Sequence, residues 1–173
     1  MLIIKKDVIT STNEYIKEHY ETLDNYTIVT ANYQTNGRGR MTRVWHSTAG
    51  ENILMSILIK EFNNQSDLNL LSLVTGVAVH KFLSKYLNNL YIKWPNDVRI
   101  SGKKISGILA ESVIEKNELQ GIILGFGVNL NCKKEDIEKK LEQNIQIQLY
   151  NLDFSVSQSI FDQLEKKKKK LFG

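Results

Sequence analysis

Cysteine, proline and histidine are scarce in this chain. The scarcity of cysteine and histidine argues against disulfide-bonded and zinc-binding proteins. Of 173 residues, one is cysteine, one is proline and three are histidine. A single cysteine, Cys132, excludes an internal disulfide and fits a reducing compartment. With so few cysteine and histidine side chains, a structural zinc site is not expected. We therefore expect a cytoplasmic protein.

Long apolar runs are missing as well. No stretch approaches the roughly 18 residues that a membrane-spanning helix requires. The N-terminal sequence MLIIKKDVIT places its lysines after the apolar residues, which is the wrong order for a secretory signal. The apolar share of 42% and the charged share of 24% are ordinary for a globular protein. The length predicts one domain with a real core. The lack of a long apolar run predicts no membrane association.

The positive charge of the chain is concentrated in one run. There are 23 basic and 19 acidic residues, and five of the basic ones form Lys166–Lys170, which leaves 18 basic against 19 acidic residues elsewhere. Such a run can contact nucleic acid. More often it is a solvated helix end that the helix dipole favours. A nucleic-acid-binding module is therefore a minor alternative.

Hydrophobic periodicity predicts a mixed α+β domain, in which pairs of strands are linked as hairpins and helices pack on the sheet. The clearest helix is Asp67–Leu87, whose apolar residues recur at spacings of three and four. The other predicted helices are Thr12–Tyr20, about Lys133–Leu141 and about Val156–Lys170. The predicted strands are Tyr26–Ala31, Asn52–Lys60, Tyr91–Trp94, Val98–Ile100, Lys104–Ile114 and Gln120–Leu130, the last interrupted by Gly125 and Gly127.

The stretch Lys93–Gly107, KWPNDVRISGKKISG, contains an unusual variety of chemical groups. Pro95 restricts Trp94 to extended geometry, so a strand should end at Trp94. Asn96 and Asp97 should then form a turn. Asp97 and Lys104 supply an acid and a base. The stretch is either a hairpin with a charged tip or a binding loop that holds these two groups at a fixed separation.

A polar segment, Asn32–Glu51, is longer than connections in compact domains usually are, and long loops of this kind are often functional. It contains QTNGRGR, followed by Arg43 and Trp45. Glycines let backbone N–H groups approach an anion, and arginines bind phosphate through two nitrogens. A floppy basic loop is the alternative. The length and the indole favour a lid that orders over a nucleotide.

Gly125 and Gly127 lie inside a predicted strand. Glycine weakens a strand unless a bulge forms or another group must lie against the backbone. Neither explanation gives a reason for Asn129. Familiar phosphate and hydrolase motifs do not apply: GRGR lacks the third glycine of a dinucleotide fingerprint, and neither GxxxxGK[ST] nor GxSxG occurs.

Five segments taken together resemble the catalytic domain of biotin protein ligases, also called biotin–[acetyl-CoA-carboxylase] ligases. They are STN, QTNGRGRMTRVW, KWPND, GKKISGILAE and GFGVN, in this order between Ser11 and Asn131. The resemblance implies the class II synthetase-like fold of biotin and lipoate ligases. It also implies an enzyme that activates biotin with ATP and Mg²⁺ to biotinyl-5′-AMP. The biotin would then pass to a lysine of a biotin carboxyl carrier domain of a carboxylase.

The resemblance assigns roles by position, with Lys104, Asp97 and Arg40 as the catalytic residues. Lys104 would bind the biotin carboxylate and stabilise charge at the acyl phosphate. Asp97 would deprotonate the attacking amine or, alternatively, orient Lys104; the first role is favoured. The implied biotin-binding residues are Ser11, Thr12, Asn13, Gln34, Gly37, Arg38, Lys104 and Gly107. The implied ATP and adenylate residues are Arg38, Arg40, Arg43, Trp45, Asn96 and Asn129. Mg²⁺ would arrive with ATP, near Asn129, without a direct protein cage.

The sequence departs from the wider family at both ends. There is no room before Ser11 for a DNA-binding helix-turn-helix, so operator binding is not expected. The chain stops at Gly173, where the family usually carries a small β domain, so we interpret residues 1–173 as a catalytic domain. Pairing of sheet edges into a homodimer stays open.

Two other functions compete with the ligase. A lipoate–protein ligase-like acyltransferase would use the same chemistry, but its RRxxGGG segment is missing. A non-catalytic or weakened biotin- or adenylate-binding protein would not need Lys104, Asp97 and the loop arginines, all of which are present.

Overall fold

The computed structural model describes residues 2–41, 43–61 and 68–129. This part of the chain contains nine strands and two helices. Their bounds are β1 Ile3–Ile9, α1 Thr12–His19, β2 Ile28–Gln34, β3 Gly37–Arg38, β4 Val44–Trp45, β5 Asn52–Ile59, α2 Leu68–Leu83, β6 Leu90–Lys93, β7 Asp97–Ile100, β8 Lys103–Glu115 and β9 Glu118–Asn129. Neither helix is long and apolar enough to cross a membrane.

Seven of these strands form one sheet in the order β1-β2-β5-β9-β8-β7-β6. Only β1 and β2 run parallel, and the other neighbouring strands in this sheet pair antiparallel. β3 and β4 pair with each other as a separate hairpin. The predicted fold class, a mixed and mostly antiparallel sheet with helices packed on it, is confirmed.

The sheet is buried on both faces. On one face, Met55 and Ile57 of β5 belong to a core with Phe82 of α2. On the other face, Leu58 of β5 packs in a core with Ile16 of α1. A strand buried on both faces reads as a continuous apolar run, which is why β5 shows no alternation. Each such side chain stabilises the fold by about 1.5–3 kcal/mol.

Element types agree with prediction more closely than element ends. The predicted helix Thr12–Tyr20 and strand Asn52–Lys60 are confirmed within one residue. α2 ends at Leu83 rather than at the predicted Leu87, although the next residues remain in hydrogen-bonded turns and Leu87 is buried. Apolar spacing therefore continued beyond the end of the helix, because the turn still packs on the core.

Three predictions of local structure were wrong. β1 was not predicted, since its two adjacent lysines interrupt the strand pattern and it pairs only at the sheet edge. Asn32–Glu51 is not one irregular loop, because β2 continues to Gln34 and the hairpin follows. β9 is not interrupted by its glycines, and its only register shift against β8 lies elsewhere, between Val113 and Ile114. The predicted helices after residue 130 lie outside the described residues.

Candidate active site

Three glycines form a shallow trough on the face of the sheet that carries α1. Gly107 of β8 is paired with Gly127 of β9, and Gly125 of β9 is paired with Ser56 of β5. Residues directly opposite each other in antiparallel strands point to the same face, so these positions share one surface. Asp97 pairs with Gly107 and extends the same row. The absence of side chains opens space there for other groups.

Side chains from elsewhere fill this trough. A Cβ atom at Gly127 would lie 2.5–2.8 Å from ring atoms of Trp45. One at Gly107 would lie 2.8 Å from both Trp45 and the Nζ of Lys104, and one at Gly125 would overlap the amide of Asn13. The prediction that glycine is needed where a group lies against the strand backbone is confirmed. The alternative of a bulge is wrong here.

The trough is the floor of a cavity of about 240 Å³. The structure brings most of the predicted site residues to its walls. Those that line it are Ser11, Thr12, Asn13, Gln34, Arg38, Arg40, Arg43, Trp45, Asn96, Asp97, Lys104 and Gly107. Gly37 and Asn129 do not line it.

One half of the cavity is neutral and buried. Ser11, Thr12, Asn13 and Gln34 are each at most 7% exposed. The Oε1 of Gln34 accepts from the backbone N–H of Thr12 at 2.7 Å and from its hydroxyl at 3.0 Å. These two bonds join the end of β2 to the start of α1. The polar groups of Thr12 and Gln34 are therefore fixed before any ligand arrives.

Ser56 does not line the cavity but is hydrogen-bonded to the residues of its neutral half, and sequence reasoning missed it. Its Oγ lies 2.5 Å from Asn13 Oδ1 and 2.6 Å from Thr12 Oγ1. Since Asn13 Oδ1 can only accept and Ser56 has a single proton, that proton goes to Asn13. The hydroxyl of Thr12 then donates to Gln34 or to Ser56. The available signal was a serine in the middle of a strand that is otherwise apolar from its second residue, NILMSILI.

The other half of the cavity is charged. Lys104 Nζ lies 2.8 Å from Asp97 Oδ1 and 5.3 Å from the centre of the Trp45 ring. The second carboxylate oxygen of Asp97 lies 3.8 Å from Arg99. Asp97 therefore makes the contact that would orient Lys104, while its role as a base stays a prediction. The indole Nε1 of Trp45 is buried and has no hydrogen-bond partner among the described residues.

The arginines of the hairpin have different surroundings. Arg38 is paired with Glu14 and Glu111. The hydrogen bond that Arg38 donates to Glu14, together with the charges of both carboxylates, raises the pKa of Arg38 above its ordinary value. Arg40 donates to Asn96 Oδ1 at 3.4 Å, and the carbonyl of Arg43 accepts from Gly39 at 2.8 Å within the hairpin.

Asn96 and Asn129 have structural contacts that the sequence did not predict. Asn96 donates its amide to the Ile108 carbonyl and accepts the Ile108 N–H at its own carbonyl. Asn129 accepts from Asn52 at 2.8 Å and lies 3.3 Å from the Lys104 carbonyl. Their adenine and metal roles stay predictions. Gly37 lies behind the wall, where a Cβ would press on Gln34.

The chain is similar to known proteins. The sequence profile of the Biotin/lipoate A/B protein ligase family matches residues 6–129. The bifunctional ligase/repressor BirA of Bacillus spizizenii is 38% identical over 145 residues, which cover 81% of this chain and 44% of that protein. The biotin–[acetyl-CoA-carboxylase] ligase of Paracoccus denitrificans is 36% identical over 105 residues, covering 59% of this chain and 43% of that protein. The chain spans less than half the length of these curated relatives.

A solved structure gives the same result. Biotin protein ligase from Aquifex aeolicus, in complex with biotin and ATP, has a TM-score of 0.72 and 30% sequence identity. The superposition covers 98% of this chain and 72% of that one. The family profile extends over most of the chain and includes every element that builds the cavity. The chain therefore belongs to the biotin/lipoate A/B protein ligase family.

Proposed function

We propose that this chain is a biotin protein ligase catalytic unit, which makes biotinyl-5′-AMP from biotin and ATP and transfers biotin to a lysine of a carrier domain. The observation that supports this most is the division of one cavity into a neutral, buried half and a cationic half. Biotin has the matching division, with an uncharged ureido ring at one end and a carboxylate at the other. The relatives named as biotin ligases support the same activity.

The neutral half suits the ureido ring. Thr12, Asn13 and Gln34 offer hydroxyl and amide groups that both donate and accept hydrogen bonds. Their burial and mutual hydrogen bonds hold them in place, so binding requires little reordering. Placing the ring here directs the valeryl chain through the cavity, past the Trp45 indole that covers the glycines, toward Lys104.

The charged half suits the first chemical step. A carboxylate oxygen of biotin attacks the α-phosphorus of ATP, and pyrophosphate leaves. Because both reactants are anions, the step needs cations that lie close to the reacting atoms. Lys104, whose ammonium Asp97 holds at 2.8 Å, would bind the carboxylate, and Arg40 and Arg43 would bind the phosphates. Trp45 would cover the adenylate and exclude water.

The second step forms an amide. The lysine amine of the carrier attacks the acyl carbon of the adenylate, and AMP leaves with the electrons of the broken bond. The amine must lose a proton, and Asp97, 17% exposed at its side chain, would accept it. Asp97 would have to release its contact with Lys104 for this purpose.

Mg²⁺ would bind as a complex with ATP rather than to a set of protein ligands. Magnesium commonly binds substrate phosphates together with one or two carboxylates. Across residues 2–41, 43–61 and 68–129, no group of three or more His, Cys, Asp or Glu could hold a metal ion. The side chain of Asn129 is bonded to Asn52 and the Lys104 backbone, so it does not fit as a free ligand. Mg²⁺ bound with ATP would offset the negative charge of the phosphates.

The expected partners of this chain are proposed in the same way. The carrier domain is the expected protein partner, and the names of relatives as acetyl-CoA-carboxylase ligases support it. Some relatives are named ligase/repressors, so the expectation of no operator binding needs its own test. A homodimer through a sheet edge is likewise untested. The Lys166–Lys170 run lies outside the described residues.

The decisive experiment is incubation of the purified chain with ATP, Mg²⁺ and biotin, with and without a carrier domain, followed by mass spectrometry. We expect biotinyl-5′-AMP without the carrier and a biotin adduct with it. Lys104→Gln should remove both products. Lys103→Gln is the matched control, since this neighbouring residue does not line the cavity.

Each other outcome contradicts a defined part of the proposal. If the wild-type chain binds biotin but forms no adenylate, it is the non-catalytic binding protein considered above. If it forms adenylate with lipoate in preference to biotin, it is the lipoate-type enzyme. Adenylate without any adduct would overturn the transfer step for this chain.

A further inference from the structure

The β3–β4 hairpin carries the arginines of the cavity, yet no strand ladder connects it to the seven-stranded sheet. Among the described residues, β3 and β4 pair only with each other. The position of the hairpin over the trough therefore depends on side chains. The side-chain contacts that hold it include those of Trp45 with the glycines and Lys104, of Arg40 with Asn96, and of Arg38 with two carboxylates.

The contacts of Arg38 are the shortest polar ones among these. Its Nη1 lies 2.5 Å from Glu14 Oε2, and its Nη2 lies 2.9 Å from Glu111 Oε1. Glu14 belongs to the first turn of α1 and Glu111 to the middle of β8. One guanidinium thus ties the hairpin to both the helix and the sheet. Paired charge-assisted bonds of this kind fix geometry as well as contribute energy.

Glu111 also reaches the neutral half of the cavity. Its Oε2 accepts the amide N–H of Asn13 at 2.7 Å, and the amide oxygen of Asn13 accepts from Ser56. Glu111 is therefore the one carboxylate in the described chain that contacts both the expected ureido pocket and the arginine hairpin. Its side chain is 19% exposed, so the contact is only partly screened by water.

The charges indicate different roles for the arginines. The positive charge of Arg38 is shared by two carboxylates. Arg40 donates to the amide oxygen of Asn96, and the backbone of Arg43 is hydrogen-bonded within the hairpin. An arginine between two carboxylates attracts a phosphate less than one beside neutral groups, because the carboxylates repel the same anion.

We propose that Glu111, supported by Glu14, is a positioning residue that anchors Arg38 and so holds the hairpin at the mouth of the biotin pocket. Arg38 is then an anchor, and Arg40 and Arg43 meet the phosphates. This inference rests on the proposed function and changes the role that the sequence assigned to the Arg38 side chain. It requires loss of Glu111 to weaken biotin binding while ATP affinity and the chemical step change little.

The first test needs no ligand. Trypsin must take the Arg38 side chain into its specificity pocket, so cleavage at Arg38–Gly39 requires the guanidinium to leave Glu14 and Glu111. Cleavage at Lys85–Tyr86, in the exposed turn after α2, gives an internal reference. We expect Glu111→Gln to raise the ratio of the two cleavage rates about fivefold. Glu115→Gln is the matched control, since Glu115 lies on the same strand but bonds to Tyr20 instead. A general loss of stability would raise both cleavage rates and leave the ratio unchanged.

The second test measures biotin binding by calorimetry without ATP. Glu111→Gln should weaken biotin about tenfold, as expected for a lost charged hydrogen bond. Glu111→Asp should restore part of the affinity. If Glu111 acts through Arg38, the double variant Arg38→Met with Glu111→Gln should bind no worse than the weaker single variant. The KM for ATP and kcat for adenylation should stay within about twofold.

Two results would overturn the positioning role. One is an unchanged cleavage ratio in Glu111→Gln. The other is a raised KM for ATP in Arg38→Met with unchanged biotin affinity, which would make Arg38 a phosphate ligand. Failure of the wild-type chain to bind biotin or form adenylate would instead overturn the proposed function, and the cleavage ratio would still decide whether Glu111 anchors the hairpin.

Discussion

The neutral and charged halves of the cavity are held in different ways. The neutral half is at most 7% exposed at Ser11, Thr12, Asn13 and Gln34, and its hydrogen bonds are made within the group, to Ser56 and to Glu111. In the charged half, the Lys104 and Arg38 side chains are 38% and 40% exposed and are held by ion pairs. The first arrangement would recognise shape and polarity with fixed groups. In the second, Lys104 would exchange Asp97 for a substrate anion, while Arg38 would keep its carboxylate partners.

The largest expected effect on the charged half comes from removing the Lys104 cation. Lys104→Gln should lower the rate of adenylate formation about 10²–10³-fold, because one preorganised group that stabilises transition-state charge is lost. Biotin-dependent pyrophosphate exchange measures this rate. Lys103→Gln should behave like the wild type. A loss below threefold in Lys104→Gln would show that the arginines suffice for this step.

Removing the negative charge beside Lys104 separates the two steps. Asp97→Asn should slow acyl transfer from preformed adenylate about 10²-fold if this carboxylate accepts the proton of the amine. Transfer to a carrier domain, followed by rapid quenching, gives the rate. An undiminished transfer rate would exclude the base role. Slower adenylation alone would leave orientation of Lys104 as the function of Asp97.

A change in the neutral half should act on biotin alone. Ser56→Ala removes the buried hydroxyl that donates to the Asn13 amide oxygen. The loss of this donor should lower the free energy of unfolding by about 1–3 kcal/mol. Biotin affinity should fall about tenfold for the same reason, with the KM for ATP unchanged. Denaturant unfolding and calorimetry measure the two effects. Ser47→Ala, at a weaker and more exposed hydrogen bond, is the control.

The smallest expected effect is the response to salt. Raising the ionic strength from about 0.05 to about 0.5 M should weaken ATP binding severalfold, since exposed charges are screened over shorter distances. Biotinamide, which has no carboxylate, should bind with an affinity that changes less than twofold. Parallel titrations of the two ligands test this. Equal salt dependence of both would remove the distinction between the halves.

The sequence could predict the features of the site whose signals lie within a short stretch of chain. The glycines of β9, Pro95 and the arginine motif act through backbone geometry and charge, so their importance is visible without a fold. Ser56 and Glu111 were missed because their partners are distant in sequence: Ser56 meets Asn13, 43 residues away, and Glu111 meets Asn13, 98 residues away. Pairing of this kind depends on strand order, which composition does not reveal.

The roles of Lys104, Asp97 and Asn96 came from resemblance rather than from spacing. The structure adds what the resemblance lacked, which is the partner of each group. Asn129 shows the difference most clearly, because it was expected near the phosphates and metal but braces β5 against β8. Likewise, the edge strand β1 escaped prediction because an edge tolerates lysines that a central strand would reject.

The facing glycines of β8 and β9 also constrain how this chain can change over generations. Because the Trp45 indole lies on the backbone at Gly127, a methyl group at position 127 and an indole at position 45 exclude each other. Two residues 82 positions apart are therefore sterically coupled, and a larger side chain on the sheet would require a smaller one on the hairpin. A drifting sequence would have to pass through a pair of substitutions, either of which alone leaves a gap or a collision.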